Sequence, residues 1–63
     1  MSSERFTPAQ MQQLELQLVQ TDDVRLYRRI LALLLWGRGT PVREIATLVQ
    51  VRRQSVYNWL ASY

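Results

Sequence analysis

Residues 41–60 read PVREIATLVQVRRQSVYNWL, and the spacing of the apolar residues in this stretch decides the fold. Two short helical patterns are separated by a break around Gln50 and Val51. We predict one helix over about residues 41–48 and a second over about residues 53–61.

The buried positions of the two patterns share one register, which is typical of a helix-turn-helix. With Val42 as the first position, the fifth position holds Ala46, a small residue that lets two helices cross closely without being pushed apart. Apolar residues fill the other positions that such a unit buries. The full set is Val42, Ile45, Ala46, Val49, Val51, Val56 and Trp59. Thr40 and Pro41 match an N-cap and a first helical residue, so we expect the earlier helix to begin there.

A leading helix is predicted at about residues 8–20. Thr7 and Gln10 fit a Thr-x-x-Gln capping box, and a proline follows Thr7 at the first helical position. Phe6 and Met11 are spaced for a hydrophobic staple across this helix start. The apolar stripe of the helix is narrow, which indicates an accessory helix docked on a core.

A second helix is predicted over about residues 22–36, beginning at Thr21 or Asp22, with Gly37 as its left-handed stop. This segment carries more apolar residues than one stripe requires. The excess indicates contact on two sides, with the leading helix on one and the later helices on the other; a dimer surface is the competing explanation. The residues in excess are Leu26, Leu33, Leu35 and Trp36.

Together these patterns predict an all-α fold, a tri-helical helix-turn-helix core with an additional N-terminal helix. The 63 residues allow one domain, which we place at residues 7–63, after a flexible N-terminus at residues 1–6. The chain has no cysteine and no histidine, which excludes a disulfide scaffold, a zinc finger and catalysis by either side chain. The five carboxylates show no paired arrangement, so we expect no enzyme, catalytic residue, metal, cofactor or small-molecule substrate.

The sequence gives no sign of a membrane or export role. Its longest apolar run, residues 30–36, is well short of the roughly 18–20 residues that a membrane span needs. The first residues lack the basic and apolar regions of a secretory signal. We therefore expect no membrane contact and a cytoplasmic location.

The charge is unevenly distributed along the chain. All eight basic residues are arginine. Residues 1–23 carry one arginine against four carboxylates, a net charge of −3, whereas residues 24–63 carry seven arginines against Glu44, a net charge of +6. Arginine matches phosphate oxygens with two parallel hydrogen bonds, so this distribution suits a phosphate-facing surface. A merely solvated basic face is the alternative.

Residues 29–34, Glu44-Ile45-Ala46 and residues 51–60 carry a family resemblance. They resemble the N-terminal helix-turn-helix of bacterial insertion-sequence transposases in the group related to mariner elements. Similar segments occur in resolvases, invertases and homeodomain-like regulators. The resemblance covers about residues 7–63 and implies a domain that binds double-stranded DNA with its last helix in the major groove.

Two residues depart from the pattern of those proteins. Gln50 stands in the turn where they usually have glycine, which adopts a positive φ at no steric cost. Arg52 stands where they usually have a serine or threonine cap, and arginine has no side-chain acceptor for the first helical amides. We expect that helix start to be frayed or to be capped by a ligand phosphate.

The resemblance implies that the exposed first two turns of the last helix contact DNA. Arg53 can form two hydrogen bonds to guanine, and Gln54 or Asn58 can pair in the same way with adenine. The remaining candidates hold the sugar–phosphate backbone. The full set of candidate DNA-binding residues is Thr40, Arg43, Arg52, Arg53, Gln54, Ser55, Tyr57 and Asn58. We expect Arg28 and Arg29 to flank the phosphate path or to pair with Asp22, Asp23 or Glu44.

A second hypothesis makes the chain a small protein-interaction or dimerisation domain. In this hypothesis the leucine- and tryptophan-rich second helix meets a partner protein or a second copy. A homodimer is compatible with DNA binding, because a small helical domain gains stability by dimerising and one recognition helix alone gives modest affinity.

Overall fold

The computed structural model describes residues 5–62 and contains, within that range, four α-helices and no strand. The helices are α1 (Pro8–Gln20), α2 (Val24–Gly37), α3 (Val42–Leu48) and α4 (Arg53–Ser62). The predicted all-α helix-turn-helix fold with a leading helix is confirmed. No helix in the described range is long and apolar enough to cross a membrane.

The start of α1 forms the capping box that the sequence predicts. The Thr7 hydroxyl accepts from the Gln10 amide at 3.2 Å, and the Thr7 amide donates to Gln10 Oε1 at 2.9 Å. The apolar stripe of α1 turns inward, and Leu14 is 1% exposed. These local bonds define where α1 begins, and one buried leucine anchors it to the rest of the molecule.

Asp23 is the N-cap of α2, so the expected start at Thr21 or Asp22 was wrong. Its carboxylate accepts from the amides of Arg25 at 2.9 Å and Leu26 at 3.3 Å. Thr21 instead closes α1, because its amide donates to the Gln17 carbonyl at 3.0 Å. The link between α1 and α2 is therefore only three residues long.

Gly37 is the last residue of α2 and not its left-handed stop, which corrects the prediction. The positive φ of 99° belongs to Gly39, whose amide donates to the Trp36 carbonyl at 3.0 Å. A Cβ atom on Gly37 would lie 2.6 Å from both the Met11 sulfur and the Phe6 ring. Glycine stands at position 37 because these side chains of the N-terminal segment approach the backbone closely.

Thr40 is not the N-cap of α3, which begins one residue later than predicted. The Thr40 amide donates to the Leu35 carbonyl at 3.0 Å and so completes the Schellman-type end of α2. Pro41 takes the N-cap position with extended backbone (φ −70°, ψ 152°), and no side chain caps α3. Thr40 therefore belongs to the C-terminal end of α2 and does not cap α3.

Helix α2 lies between two apolar clusters, as its excess of apolar residues predicted. The upper cluster comprises Ala32 of α2 with the buried residues of α3, α4 and their connection, and the lower cluster joins Leu14 of α1 to three residues of α2. Leu60 of α4 adjoins both clusters. The upper cluster is Ala32, Ile45, Ala46, Val49 and Val56, and the lower cluster is Leu14, Ile30, Leu33 and Leu34.

The N-terminal segment before α1 contacts the end of α2. The Arg5 amide donates to the Gly37 carbonyl at 2.8 Å, and its guanidinium lies 4.6 Å from the Trp36 ring centroid. The Phe6 ring lies 5.2 Å from the same tryptophan, in a tilted arrangement. The N-terminus expected to be flexible includes residues 1–4, which lie outside the described residues.

Candidate nucleic-acid interface

The turn between α3 and α4 contains Gln50 at a φ of +59°. The sequence analysis placed a positive φ at this residue, and the structure confirms it. The Val51 amide reaches back to the Ala46 carbonyl at 3.0 Å and closes the turn. Ala46 is 7% exposed where the two helices cross. This turn fixes the direction in which α4 leaves α3.

Helix α4 has one buried side and one free side. Val56 is 1% exposed in the upper cluster, and Trp59 and Leu60 are half-buried beside it. Since a helix repeats every 3.6 residues, Gln54 and Asn58 lie on the opposite side. Both are exposed. Nothing in residues 5–62 covers this side of α4, so it is accessible to a ligand as large as a DNA duplex.

Side chains of α3 and α4 form a groove that contains four of the predicted DNA-binding residues. We call it the front groove. Its basic residues are Arg43 on α3, Arg52 just before α4 and Arg53 at the start of α4; Glu44 is its one carboxylate. The lining residues are Thr40, Arg43, Glu44, Ala46, Thr47, Leu48, Val51, Arg52 and Arg53. The structure therefore brings Thr40 and Arg43 together with Arg52 and Arg53, although eight residues separate Arg43 from Arg52 in the sequence.

The other four predicted residues lie along α4 and outside the front groove. Gln54 and Asn58 are exposed, and so is Tyr57, at 53%. Ser55 is half-buried, and its amide donates to the Arg52 carbonyl at 3.0 Å. Ser55 therefore offers less surface to a ligand than its neighbours do.

The backbone at the start of α4 is arranged as the sequence suggested. The Arg52 carbonyl accepts from the amides of Ser55 and Val56, at 3.0 and 3.4 Å, so Arg52 occupies the cap position. An arginine side chain cannot accept from the first amides of the helix. The amides of the first turn and the guanidinium groups of Arg52 and Arg53 therefore lie at the N-terminal end of α4. The helix dipole makes this end the more favourable one for an anion.

A second groove, the back groove, lies between α2 and α4. It contains Arg25, Arg28 and Arg29 of α2, with Val51 shared between the two grooves. Arg25 is not among the residues that the sequence predicted for a DNA contact. The three-residue spacing of Arg25 and Arg28, which puts both on one helix face, is the sequence feature that could have identified it. The lining residues are Asp23, Arg25, Leu26, Arg28, Arg29, Val51 and Trp59.

The arginines of both grooves make no ion pair within residues 5–62. Of the two alternatives for Arg28 and Arg29, the pairing with Asp22, Asp23 or Glu44 is not formed, and a position beside the phosphate path stays a prediction. Arg29 donates instead to the Ser62 hydroxyl at 3.2 Å, and the Asp23 carboxylate is held by helix amides. These cationic groups are not neutralised by carboxylates of the described chain and are available to an external anion.

Three of the four residues on which the dimer alternative depends lie in the core. Leu33 is 2% exposed, and Leu35 and Trp36 are half-buried against the upper cluster. Only Leu26 is open to solvent, at 45%. Much of the surplus apolar surface of α2 is therefore used within the chain, and the dimer alternative stays a hypothesis.

Comparison with known proteins agrees with this geometry. The family model of the homeodomain-like domain matches residues 23–63, which include α2, α3 and α4 and leave out α1. No curated protein and no solved structure gives a significant match. Helix-turn-helix domains of this type are in general non-enzymatic and bind DNA. The match covers well over half of the chain, and the chain belongs to the homeodomain-like domain family.

Proposed function

We propose that this chain binds double-stranded DNA sequence-specifically, with α4 in the major groove. The observation that carries the proposal is the free side of α4. This side is exposed and polar, carries no carboxylate from Arg52 to Ser62, and has two unpaired arginines at its start. A major groove about 12 Å wide admits one α-helix, and the N-terminal residues of such a helix contact the base edges.

The two grooves supply the phosphate contacts in this proposal. Arg43 and Arg52 line the front groove between α3 and α4, and Arg25 and Arg28 line the back groove between α2 and α4. A helix in the major groove has a phosphate backbone on each side, so basic residues on both flanks suit that position. The Thr40 and Ser55 hydroxyls and the Tyr57 phenol are additional donors to phosphate oxygens.

Arg53 and an amide side chain, that of Gln54 or of Asn58, supply the base contacts. Arg53 is exposed at the first position of α4 and matches the guanine O6 and N7 acceptors. Gln54 and Asn58 carry both a donor and an acceptor, which is the pattern that adenine requires. Discrimination by one such pair of hydrogen bonds amounts to about 1–3 kcal/mol.

We place this DNA-binding activity in an end-binding domain of a bacterial insertion-sequence transposase or in a small transcriptional regulator. The resemblance of residues 51–60 to mariner-related transposases favours the first. In either case the chain works in the cytoplasm and performs no catalysis itself. A homodimer would place two recognition helices on one duplex, and sedimentation with and without DNA measures whether it forms.

The experiment that tests the proposal is duplex binding by fluorescence anisotropy over a series of salt concentrations. We compare the wild type with the double variant Arg52→Ala/Arg53→Ala. Each phosphate contact contributes about 0.9 to the slope of log affinity against log salt. We expect a wild-type slope of several units and a slope smaller by about one or two units in the double variant.

Two controls separate a specific surface from bulk charge. Arg52→Lys/Arg53→Lys keeps both charges, so the slope should remain while base discrimination at the Arg53 position falls. Arg38→Ala removes a charge from a side chain that pairs with Glu15 at 3.3 Å, and the slope should not change. If the folded wild type fails to bind any duplex at about 50 mM salt, the proposal is refuted.

A further inference from the structure

Two amide side chains on the free side of α4 are hydrogen-bonded to each other. Gln54 Nε2 donates to Asn58 Oδ1 at 3.1 Å. The residues are four positions apart, so their side chains meet on adjacent turns. Both residues are exposed, and they lie opposite the buried Val56. This pair is therefore the first part of α4 that a ligand approaching its free side would meet.

The bond gives the two amides different roles. Gln54 Nε2 carries two hydrogens and uses one of them on Asn58. Gln54 keeps one N–H donor and its full oxygen acceptor. Asn58 has committed a lone pair of its oxygen and presents mainly the N–H donors of its own amide. Asn58 Oδ1 keeps its second lone pair, but its oxygen is already shared with Gln54, whereas the oxygen of Gln54 is engaged by no other group within residues 5–62.

The major-groove edge of adenine presents a donor, the N6 amino group, beside an acceptor, N7. A single amide satisfies both when its oxygen accepts from N6 and its nitrogen donates to N7. Gln54 also lies in the first turn of α4, and recognition helices contact bases with their N-terminal residues. Asn58 lies one turn further along the helix and has the shorter side chain.

We propose that Gln54 reads an adenine in the major groove and that Asn58 is a positioning residue that holds the Gln54 amide ready for it. This inference rests on the proposed DNA binding and adds a division of labour within it. A free glutamine side chain loses rotational freedom when it binds, and orienting it beforehand removes part of that cost. We expect the orienting bond to improve adenine preference about two- to tenfold.

The test selects binding sites from a pool of random duplexes and then measures competition between the selected duplex and one with the adenine replaced. The wild type should select an adenine at one position and prefer it by at least about fivefold. Gln54→Ala should lose that preference. Asn58→Ala should reduce it about two- to tenfold while the same adenine is still selected. Circular dichroism checks that each exposed-site variant remains helical.

Asn58→Asp distinguishes positioning from direct reading. A carboxylate still accepts from Gln54 Nε2, so adenine preference should persist even though the added negative charge weakens overall affinity. If Asn58 itself reads the base, the aspartate should switch the preference to cytosine, whose N4 donates to carboxylates. A switch to cytosine at the selected position overturns the assignment of roles.

A measurement without DNA tests the pair separately. In the free protein, the Gln54 side-chain amide hydrogens should exchange with water more slowly in the wild type and in Asn58→Asp than in Asn58→Ala. Equal exchange in all three overturns the positioning role. DNA binding with an adenine preference that Gln54→Ala leaves unchanged refutes this inference alone, whereas no duplex binding by the wild type refutes the proposed function and this inference together.

Discussion

Replacing Gln50 by glycine should stabilise the protein, although the same change usually destabilises a folded chain. Gln50 holds a φ of +59°, in the left-handed region. A non-glycine residue adopts this conformation at a cost of about 1–2 kcal/mol, which glycine avoids. Glycine in turn makes the unfolded chain more flexible, which costs about 0.4–1 kcal/mol. The free energy of unfolding should therefore rise by about 0.5–1 kcal/mol.

The control is the same substitution where φ is negative. Gln13 is an exposed residue inside α1, so Gln13→Gly has no backbone strain to relieve. It should lower the free energy of unfolding by about 0.5 kcal/mol through its poor helix propensity. The two Gln→Gly variants should therefore shift stability in opposite directions.

Thermal and urea unfolding followed by circular dichroism measure both variants. For a domain of this size, 1 kcal/mol corresponds to a change in Tm of about 4–8 °C. Gln50→Gly should thus raise the Tm by roughly 2–8 °C and leave duplex affinity at 25 °C unchanged, since the turn keeps its geometry. A Tm that falls in both variants by the same amount would refute the argument that residue 50 is strained.

Three further substitutions test the packing around α1 and α2. Gly37→Ala places a Cβ 2.6 Å from the Phe6 ring. The overpacking should lower the free energy of unfolding, measured by thermal unfolding, by about 1–3 kcal/mol, and an unchanged Tm would contradict the close approach. Leu14→Ala removes the α1 side chain of the lower cluster and should lower the free energy of unfolding by about 2–5 kcal/mol. The midpoint of urea unfolding should fall accordingly. Glu15→Gln removes the exposed ion pair with Arg38 and should change the free energy of unfolding in urea by no more than about 0.5 kcal/mol; a larger loss would contradict the small contribution expected of an exposed pair.

Local sequence signals predicted the features of this fold that depend on neighbouring residues. The capping box at Thr7 and Gln10 needs only residues three apart, and it forms as expected. The positive φ of Gln50 was indicated by the resembled family, which usually has glycine at this place in the turn. The exposed side of α4 followed from the register of the apolar residues, once Val56 was placed inside.

Features that depend on distant residues were not predictable in the same way. The motif at Thr40 and Pro41 repeats the one at Thr7, yet Thr40 donates to Leu35 and becomes part of the preceding helix end. Gly37 is required by Phe6, about thirty residues earlier in the chain, and no local pattern reveals that contact. Arg25 joins the back groove because Trp59 packs beside α2, which is likewise a non-local event.

The division of the interior into two clusters predicts which part of the protein unfolds locally. Helix α1 packs on α2, and the family match begins after α1, at residue 23. Local unfolding follows such boundaries, because a helix that packs on only one other helix can separate while the rest of the domain stays folded. Amide hydrogens of α1 should therefore exchange with solvent through an opening that leaves α2, α3 and α4 folded. In that open form Ile30, Leu33 and Leu34 lose the cover of Leu14, and the three-helix remainder carries an apolar strip on the side of α2 that faces α1.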